Sequence, residues 1–336
     1  MRFISKIFVI VSILFTGITA QQAKKNLLDN FFKKDSVVIL VTDSGLGGLS
    51  IAADLFEQLK TTCLFRKADI IFFNAQPHIS YGYNQMESTE EKVWVFENAL
   101  NEFEKNLKPD LILIGCNTLS VIYEYTDFSK SASIPVIGIV ETGVDLIKQN
   151  MDKFDNSKVI IFATETTVGE AKHRNNLVSL GIDEDRIIAV PCPRLAGSIE
   201  RDSESRFTDS LVTAYVNESL NHLNKNDKIF VSYNCTHYGY IDNLFRNRFN
   251  DAGVHIENFL NPNPYMLKFL FEDSTRKQHA NPDISIRVIS QAELTPDKIG
   301  SIYLLIEKSS SESADALLYY DYQPDFFNWK YTANKE

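Results

Sequence analysis

The sequence predicts an α/β protein of two similar halves, each built on a parallel sheet. Three observations predict it. Short apolar runs alternate with stretches of helical spacing, the pattern of parallel strands joined by crossover helices. The order of these elements begins again near Lys158. Two cysteines also end closely similar apolar runs: Cys116 in Leu111-Ile-Leu-Ile-Gly-Cys-Asn-Thr118 and Cys235 in Ile229-Phe-Val-Ser-Tyr-Asn-Cys-Thr-His237. A strand ending in Cys beside Asn or Thr puts a thiol at the carboxyl edge of a sheet, where α/β proteins bind ligands. Two such edges suggest two halves offering one thiol each to a shared cleft. That arrangement suits an acid on one face of a carbon and a base on the other.

The elements follow in order. Ser36 to Thr42 reads as a strand, and Asp43-Ser-Gly-Leu-Gly-Gly48 as a glycine-rich turn. Leu49 to Lys60 has helical spacing, with Leu49, Ala52, Leu55, Phe56 and Leu59 on one side. Ala68 to Phe73 is a strand, followed by an irregular stretch through Asn84. A long helix over Glu87–Asn106 leads to the strand before Cys116. Ile134 to Val140 is a strand, then a helix runs through Lys148. In the second half Lys158–Ala163, Arg186–Val190 and Ile229–Ser232 read as strands, and Val168–Leu180 and Asp209–Leu223 as helices. After about residue 260 the periodicity weakens, and the aromatic stretch Tyr319 to Trp329 has no evident place.

The chain has 336 residues, enough for about two domains, with 44% hydrophobic and 23% charged residues. Its net charge of -10 argues against nucleic acid, which needs a basic face. The start has the layout of a secretory signal peptide: Arg2 and Lys6, an apolar run from Ile7 to Phe15, and Ala20 before Gln21. The expectation is export, to the periplasm or medium, with an uncleaved anchor as the alternative. No later segment is long and apolar enough to hold the mature chain in a membrane. Export would make two disulfides the default for Cys63, Cys116, Cys192 and Cys235. A chain this large needs no staples, and the strand-edge positions of Cys116 and Cys235 fit free thiols better; the alternative is a Cys116–Cys235 bridge, which would abolish thiol chemistry.

The glycine-rich turn makes a poor dinucleotide fingerprint, because Ser50 takes the third glycine position and the next strand runs into Asn74. Backbone N–H groups at a helix start suit a carboxylate instead, with Asp43 as a charge at the floor of the site. His237, two residues beyond a thiol, can act as its proton partner. No Cys-x-x-Cys or His-x-x-x-His spacing supports a metal. Asn217-Glu-Ser219 and Asn234-Cys-Thr236 match glycosylation acceptors, the second overlapping the proposed site.

Taken together these segments resemble glutamate racemase of the cofactor-independent Asp/Glu racemase superfamily. The resemblance rests on Asp43-Ser-Gly-x-Gly-Gly48, Ser80-Tyr-Gly82, Gly115-Cys-Asn-Thr118, Pro135 to Glu141, Ala163-Thr-x-x-Thr167, Cys192-Pro193 with Glu200, and Cys235-Thr-His-Tyr238. These run in family order from about residue 37 to 260. The Cys-Thr-His ending looks like the glutamate branch, since the aspartate branch typically shows Cys-Thr-Glu.

The resemblance implies two flavodoxin-like parallel-sheet domains in pseudosymmetric arrangement, with the active site between them. Beyond the signal peptide over 1–20 and a polar linker over 21–35, both read from the residues themselves, it implies a first domain over 36–138 completed by about 258–310 and a second domain over 139–257, leaving a C-terminal extension of unknown role over 311–336. It implies a racemase of a small acidic amino acid, without cofactor or metal, linked in the family to D-glutamate for cell-wall peptidoglycan; a homodimer is compatible with it. Cys116 and Cys235 would be the two bases, with Asp43 supporting Cys116, and Glu200 and His237 supporting Cys235. Ser44, Tyr81, Gly82, Asn117, Thr118, Thr167 and Thr236 match positions that hold the amino acid. The other readings are a racemase of aspartate or another acidic metabolite, and an exported binding protein without turnover. The chain departs from the family pattern at Asn74-Ala-Gln-Pro-His-Ile79, which is one residue longer and lacks its Asp and Arg. It departs again at Gly239, where the family has Pro, and at Asn261-Pro262.

Overall fold

The computed structural model describes residues 22, 25–273, 275, 276 and 278–332. The expected signal peptide, Met1 to Ala20, lies outside them. Ten strands are described: β1 (Ser36–Asp43), β2 (Lys67–Asn74), β3 (Leu111–Ile114), β4 (Val136–Gly138), β5 (Ser157–Ala163), β6 (Ile187–Pro191), β7 (Lys228–Asn234), β8 (Ile256–Leu260), β9 (Asp283–Ser290) and β10 (Asp321–Tyr322). They form two sheets, ordered β10-β9-β2-β1-β3-β4 and β6-β5-β7-β8. Every pairing within these sheets is parallel.

The two halves share one topology. In each, the first strand lies between the second and third, and the fourth flanks the third. The β3 run Leu-Ile-Leu-Ile is buried throughout, as expected where helices cover both faces of a parallel sheet. The helix Leu49–Thr62 buries the predicted stripe of Leu49, Ala52, Leu55, Phe56 and Leu59. It stops where Cys63 turns left-handed and returns its N–H to the Leu59 carbonyl. Among the described residues no helix is long and apolar enough to cross a membrane.

Local hydrogen bonding moves several expected boundaries. The strand expected through Val140 ends at Gly138, because the Ser120 hydroxyl accepts the Ile139 N–H at 3.2 Å and starts the helix Ile139–Met151 there. The helix expected over Val168–Leu180 is two, Glu165–Gly169 and Lys172–Ser179, broken where Ala171 adopts φ 51°. The helix expected from Asp209 starts at Arg206, where Ser205 accepts the Thr208 N–H. A shorter helix, Leu195–Arg201, precedes it. The stretch expected as a linker is helical over residues 25–31, and its Phe31 is buried against Phe65 with ring centroids 5.3 Å apart.

The chain returns to the first domain only after β8, so the second sheet extends to Leu260 rather than residue 257. The last two strands complete the first domain. β9 adds to the open side of β2, its Ile284, Ile286 and Val288 alternating with polar residues. The segment beyond residue 310, expected as an extension of unknown role, belongs to the same core. β10 pairs with β9, and Phe326 and Phe327 pack on Phe73 at centroid distances of 4.7 and 6.4 Å. The Phe327 N–H donates to Gln291 Oε1 at 2.7 Å.

Phe327 is buried, so Phe327→Ala should destabilise the protein by about 3–5 kcal/mol, the usual cost of emptying a buried phenylalanine site. Urea unfolding checks this. Leu304, 62% exposed, is the control, and its alanine variant should stay within about 0.5 kcal/mol of the parent.

Candidate active site

The shared topology places β3 and β7 at equivalent positions in the two sheets. Cys116 lies just past the end of β3 and Cys235 just past β7. Both thiols line one cavity of about 200 Å³ between the domains. All four cysteines are unpaired. Of the residues expected at the site, Asp43, Ser44, Gly82, Asn117, Thr118, Glu200, Thr236 and His237 line the same cavity.

Two expected residues stand back from it. Thr167 is buried behind the wall, its hydroxyl 2.9 Å from that of Thr164 and 3.4 Å from that of Thr118. Tyr81 points its hydroxyl at Glu91 Oε1, 2.6 Å away, and its ring lies near Trp329. Its neighbours Ser80, Gly82 and Tyr83 line the cavity in its place.

The surroundings of the two thiols differ. Cys116 sits at the start of the helix Asn117–Tyr123, with Ser44 Oγ 3.1 Å from its sulfur and the Leu119 N–H donating to it. Burial and the Asp43 carboxylate push this thiol well above its ordinary pKa, and the donors offset only part of that. Asp43 ends β1 and meets Cys116 through Ser44. Its Oδ2 accepts the Gly48 N–H at 2.6 Å and the Thr236 hydroxyl at 2.7 Å.

Cys235 has a histidine partner, with His237 Nδ1 3.7 Å from its sulfur. The other ring nitrogen is 2.8 Å from Glu200 Oε1. Burial alone would push His237 down. Contact with the Cys235 sulfur and the Glu200 carboxylate overrides it and holds the imidazole well above its ordinary range. Glu200 is buried, which favours its neutral form. The Lys298 ammonium and His237 outweigh that and keep it ionised, far below the usual carboxylate range. Glu200 Oε1 also accepts the Leu46 N–H at 2.7 Å, and Lys298 Nζ lies 2.7 Å from Oε2.

The glycine-rich turn therefore holds carboxylates, as the sequence suggested, but they are the chain's own. Gly48 and Leu46 give their N–H groups to Asp43 and Glu200. The glycines are needed because the second domain sits directly on the turn. A methyl on Gly47 would collide with Thr236 Oγ1 and lie 2.6 Å from His237 Nδ1. One on Gly45 would collide with Glu200 Oε1.

Asn117 is 2% exposed and neither its amide nitrogen nor its oxygen has a partner. Such groups in a cavity wall are ready to bind a ligand. Lys298 and Gln76 also line the cavity, and sequence reasoning missed both. Thr295-Pro296 is a readable helix start, but nothing local to it points to a site some hundred residues earlier in the chain. Among the described residues, no group of three His, Cys, Asp or Glu side chains is placed to hold a metal ion.

A family model described as Asp/Glu/Hydantoin racemase matches residues 40–238, more than half of the chain. The chain belongs to this racemase family. Membership makes it an isomerase of the amino-acid racemase kind. Among its curated relatives, a glutamate racemase of a Nitratiruptor species is 29% identical over 218 residues, covering 64% of this chain and 78% of that one. The glutamate racemase of Francisella tularensis subsp. tularensis SCHU S4, solved in complex with D-glutamate, superposes with a TM-score of 0.62 at 21% identity. That match covers 81% of this chain and 94% of the other. The glutamate racemase of Campylobacter jejuni subsp. jejuni gives 0.60 at 22% identity, covering 80% and 98%. At these identities the two structures establish a common fold. The racemase family match contains both cysteines and ends before Lys298.

Because Gly47 lets the two domains meet, Gly47→Ala should leave secondary structure intact but open the cleft. Racemase activity should fall by at least about tenfold, as expected for misplaced catalytic groups. Circular dichroism and a racemisation assay on the same sample check both parts.

Proposed function

We propose that this racemase interconverts L- and D-glutamate, passing the α-proton between Cys116 and Cys235 without a cofactor. The observation that carries the reading is that the two cysteines end equivalent strands and line one cavity. The curated relatives named glutamate racemase support the choice of substrate.

In one direction the Cys235 thiolate removes the α-hydrogen as a proton, breaking the C–H bond and forming S–H. The electron pair stays on the α-carbon as a carbanion, conjugated with the carboxylate. The Cys116 thiol delivers its proton to the opposite face and is left as thiolate. The reverse direction exchanges these roles. His237, its Nδ1 3.7 Å from the Cys235 sulfur, is placed to exchange a proton with it. Cys116, pushed up by burial and Asp43, favours the thiol. From the family resemblance, Cys235 faces the L-enantiomer and Cys116 the D-enantiomer. Carbanion formation without a cofactor needs positioned donors at the carboxylate. Asn117, Ser44 and Thr118 supply amide and hydroxyl groups around the cavity.

Two outcomes test this reading. Cys116→Ala should lower racemisation by about 10²–10⁴-fold, the usual weight of one acid–base group, yet still exchange the α-proton of L-glutamate with deuterated solvent. Cys235→Ala should lose racemisation similarly and retain exchange of D-glutamate. Full two-way racemisation by either variant rejects the two-thiol mechanism. Exchange of aspartate in preference to glutamate rejects the substrate.

We further propose that Met1 to Ala20 is a signal peptide and that the mature chain works outside the cytoplasm. The charged start, short apolar run and Ala20 support this. N-terminal sequencing of protein from its native host should begin near Gln21, and an intact Met1 or Arg2 overturns the proposal.

A further inference from the structure

Lys298 belongs to the first domain's returning segment, near the start of the helix Pro296–Ile306. That helix lies against Leu195–Arg201 of the second domain, where Ser301 Oγ donates to the Ile199 carbonyl at 3.0 Å. Lys298 Nζ is 2.7 Å from Glu200 Oε2 and 3.3 Å from Gln76 Oε1. Its side chain is largely enclosed, and it lines the cavity that holds both thiols. A continuous chain of contacts runs Lys298, Glu200, His237, Cys235, with steps of 2.7, 2.8 and 3.7 Å. Cys116 has no such chain. Its partners are Ser44, the Leu119 N–H and, through Ser44, Asp43.

We propose that Lys298 is a positioning residue for the reaction: by pairing with Glu200 from the opposite domain, it balances the charge of the Glu200–His237 pair and keeps Cys235 competent as a base at neutral pH. This rests on the two-thiol reading above.

The surrounding charges make the argument specific. The charged groups facing this chain of contacts are Asp43 across the cleft, Glu200, His237, Lys298 and, at the cavity mouth, exposed Arg201. Asp297, beside Lys298 on the same helix, is exposed. Cys192 and Tyr238 are buried close to Cys235, and burial pushes both well up into their neutral forms. Tyr240, near Asp43 and Glu200, is likewise pushed up by burial. Two buried carboxylates and a thiolate thus face His237 and Lys298 as the enclosed cations. Removing Lys298 leaves one enclosed cation against the same acids. The extra negative potential disfavours a thiolate at Cys235, and Cys116 keeps its own donors.

The loss of one unit charge at a separation of about 10 Å, with an effective dielectric near 20, corresponds to a change of about tenfold in thiolate population. The experiment is a brief iodoacetamide pulse on the reduced full-length mature protein across the neutral pH range, with Cys235 and Cys116 labelling quantified separately by peptide mass. In Lys298→Gln the labelling of Cys235 should slow about tenfold at neutral pH, with its rise moved to higher pH. The Cys116 curve should stay in place, and Lys298→Arg should restore Cys235. Lys298→Met, run in parallel, gives the same reading if the glutamine variant fails to fold.

An unchanged Cys235 curve overturns the proposal. So does an equal shift of both thiols, which would make Lys298 a domain clamp and nothing more. Cys235→Ala is assayed alongside for racemisation. If it racemises fully, the two-thiol reading fails whatever the labelling curves do; if it does not, an unchanged labelling curve counts against Lys298 alone.

Discussion

Two buried carboxylates, each held by groups from both domains, organise the cleft. Asp43 at the end of β1 accepts the hydroxyl of Thr236 from the second domain. Glu200 of the second domain accepts the Leu46 N–H and the Lys298 ammonium from the first. Hydrogen bonds to charged groups contribute about 1.5–3 kcal/mol each, and a buried charge that loses its partner costs more than the bond itself. The bonds to Asp43 and Glu200 therefore fix the width of the cleft and the charges around the thiols together. The glycines of the turn are a consequence, because side chains there would hold the domains apart.

The topological repeat gives the site its symmetry, and the side chains remove it. Equivalent strands deliver two sulfurs to one cavity. One is paired with an imidazole backed by a carboxylate and an ammonium. The other is paired with a hydroxyl and lies near a carboxylate. The two-base isomerisation proposed above needs one base charged and the other protonated at the start of each turn, and unequal neighbours on an otherwise repeated backbone would meet that need.

Much of this was legible in the sequence wherever the determinant was local. Apolar runs ending in Cys-Asn-Thr and Cys-Thr-His identify strand ends, and parallel topology turns strand ends into a site. The stripe of Leu49-to-Leu59 is a one-helix property and was read correctly. The failures that bear on the site involve distant partners. Ser120 decides where Ile139 starts a helix, a contact across 19 positions that periodicity does not contain. Tyr81 was expected at the cleft from the resemblance, yet Glu91 and Trp329 draw it away. Lys298 reaches the site through an ion pair with Glu200, which no local pattern records. β9 was a different kind of miss, since its alternation of isoleucine and valine with polar residues was present in the sequence.

The position of β9 and β10 bears on the order in which this chain acquires its structure during synthesis. Residues 157–260 contain every strand of the second sheet in one continuous segment. The first sheet begins more than a hundred residues earlier and is finished only by residues 283–322. On a ribosome, the second domain can close as soon as its own segment has emerged. The first must wait with the apolar edge of β2 and the ring of Phe73 uncovered until the last strands arrive. Such a delay exposes an unpaired strand edge, the feature that most invites aggregation and chaperone binding. The domain begun first is thus the domain completed last, and the cleft between the two forms as the final event.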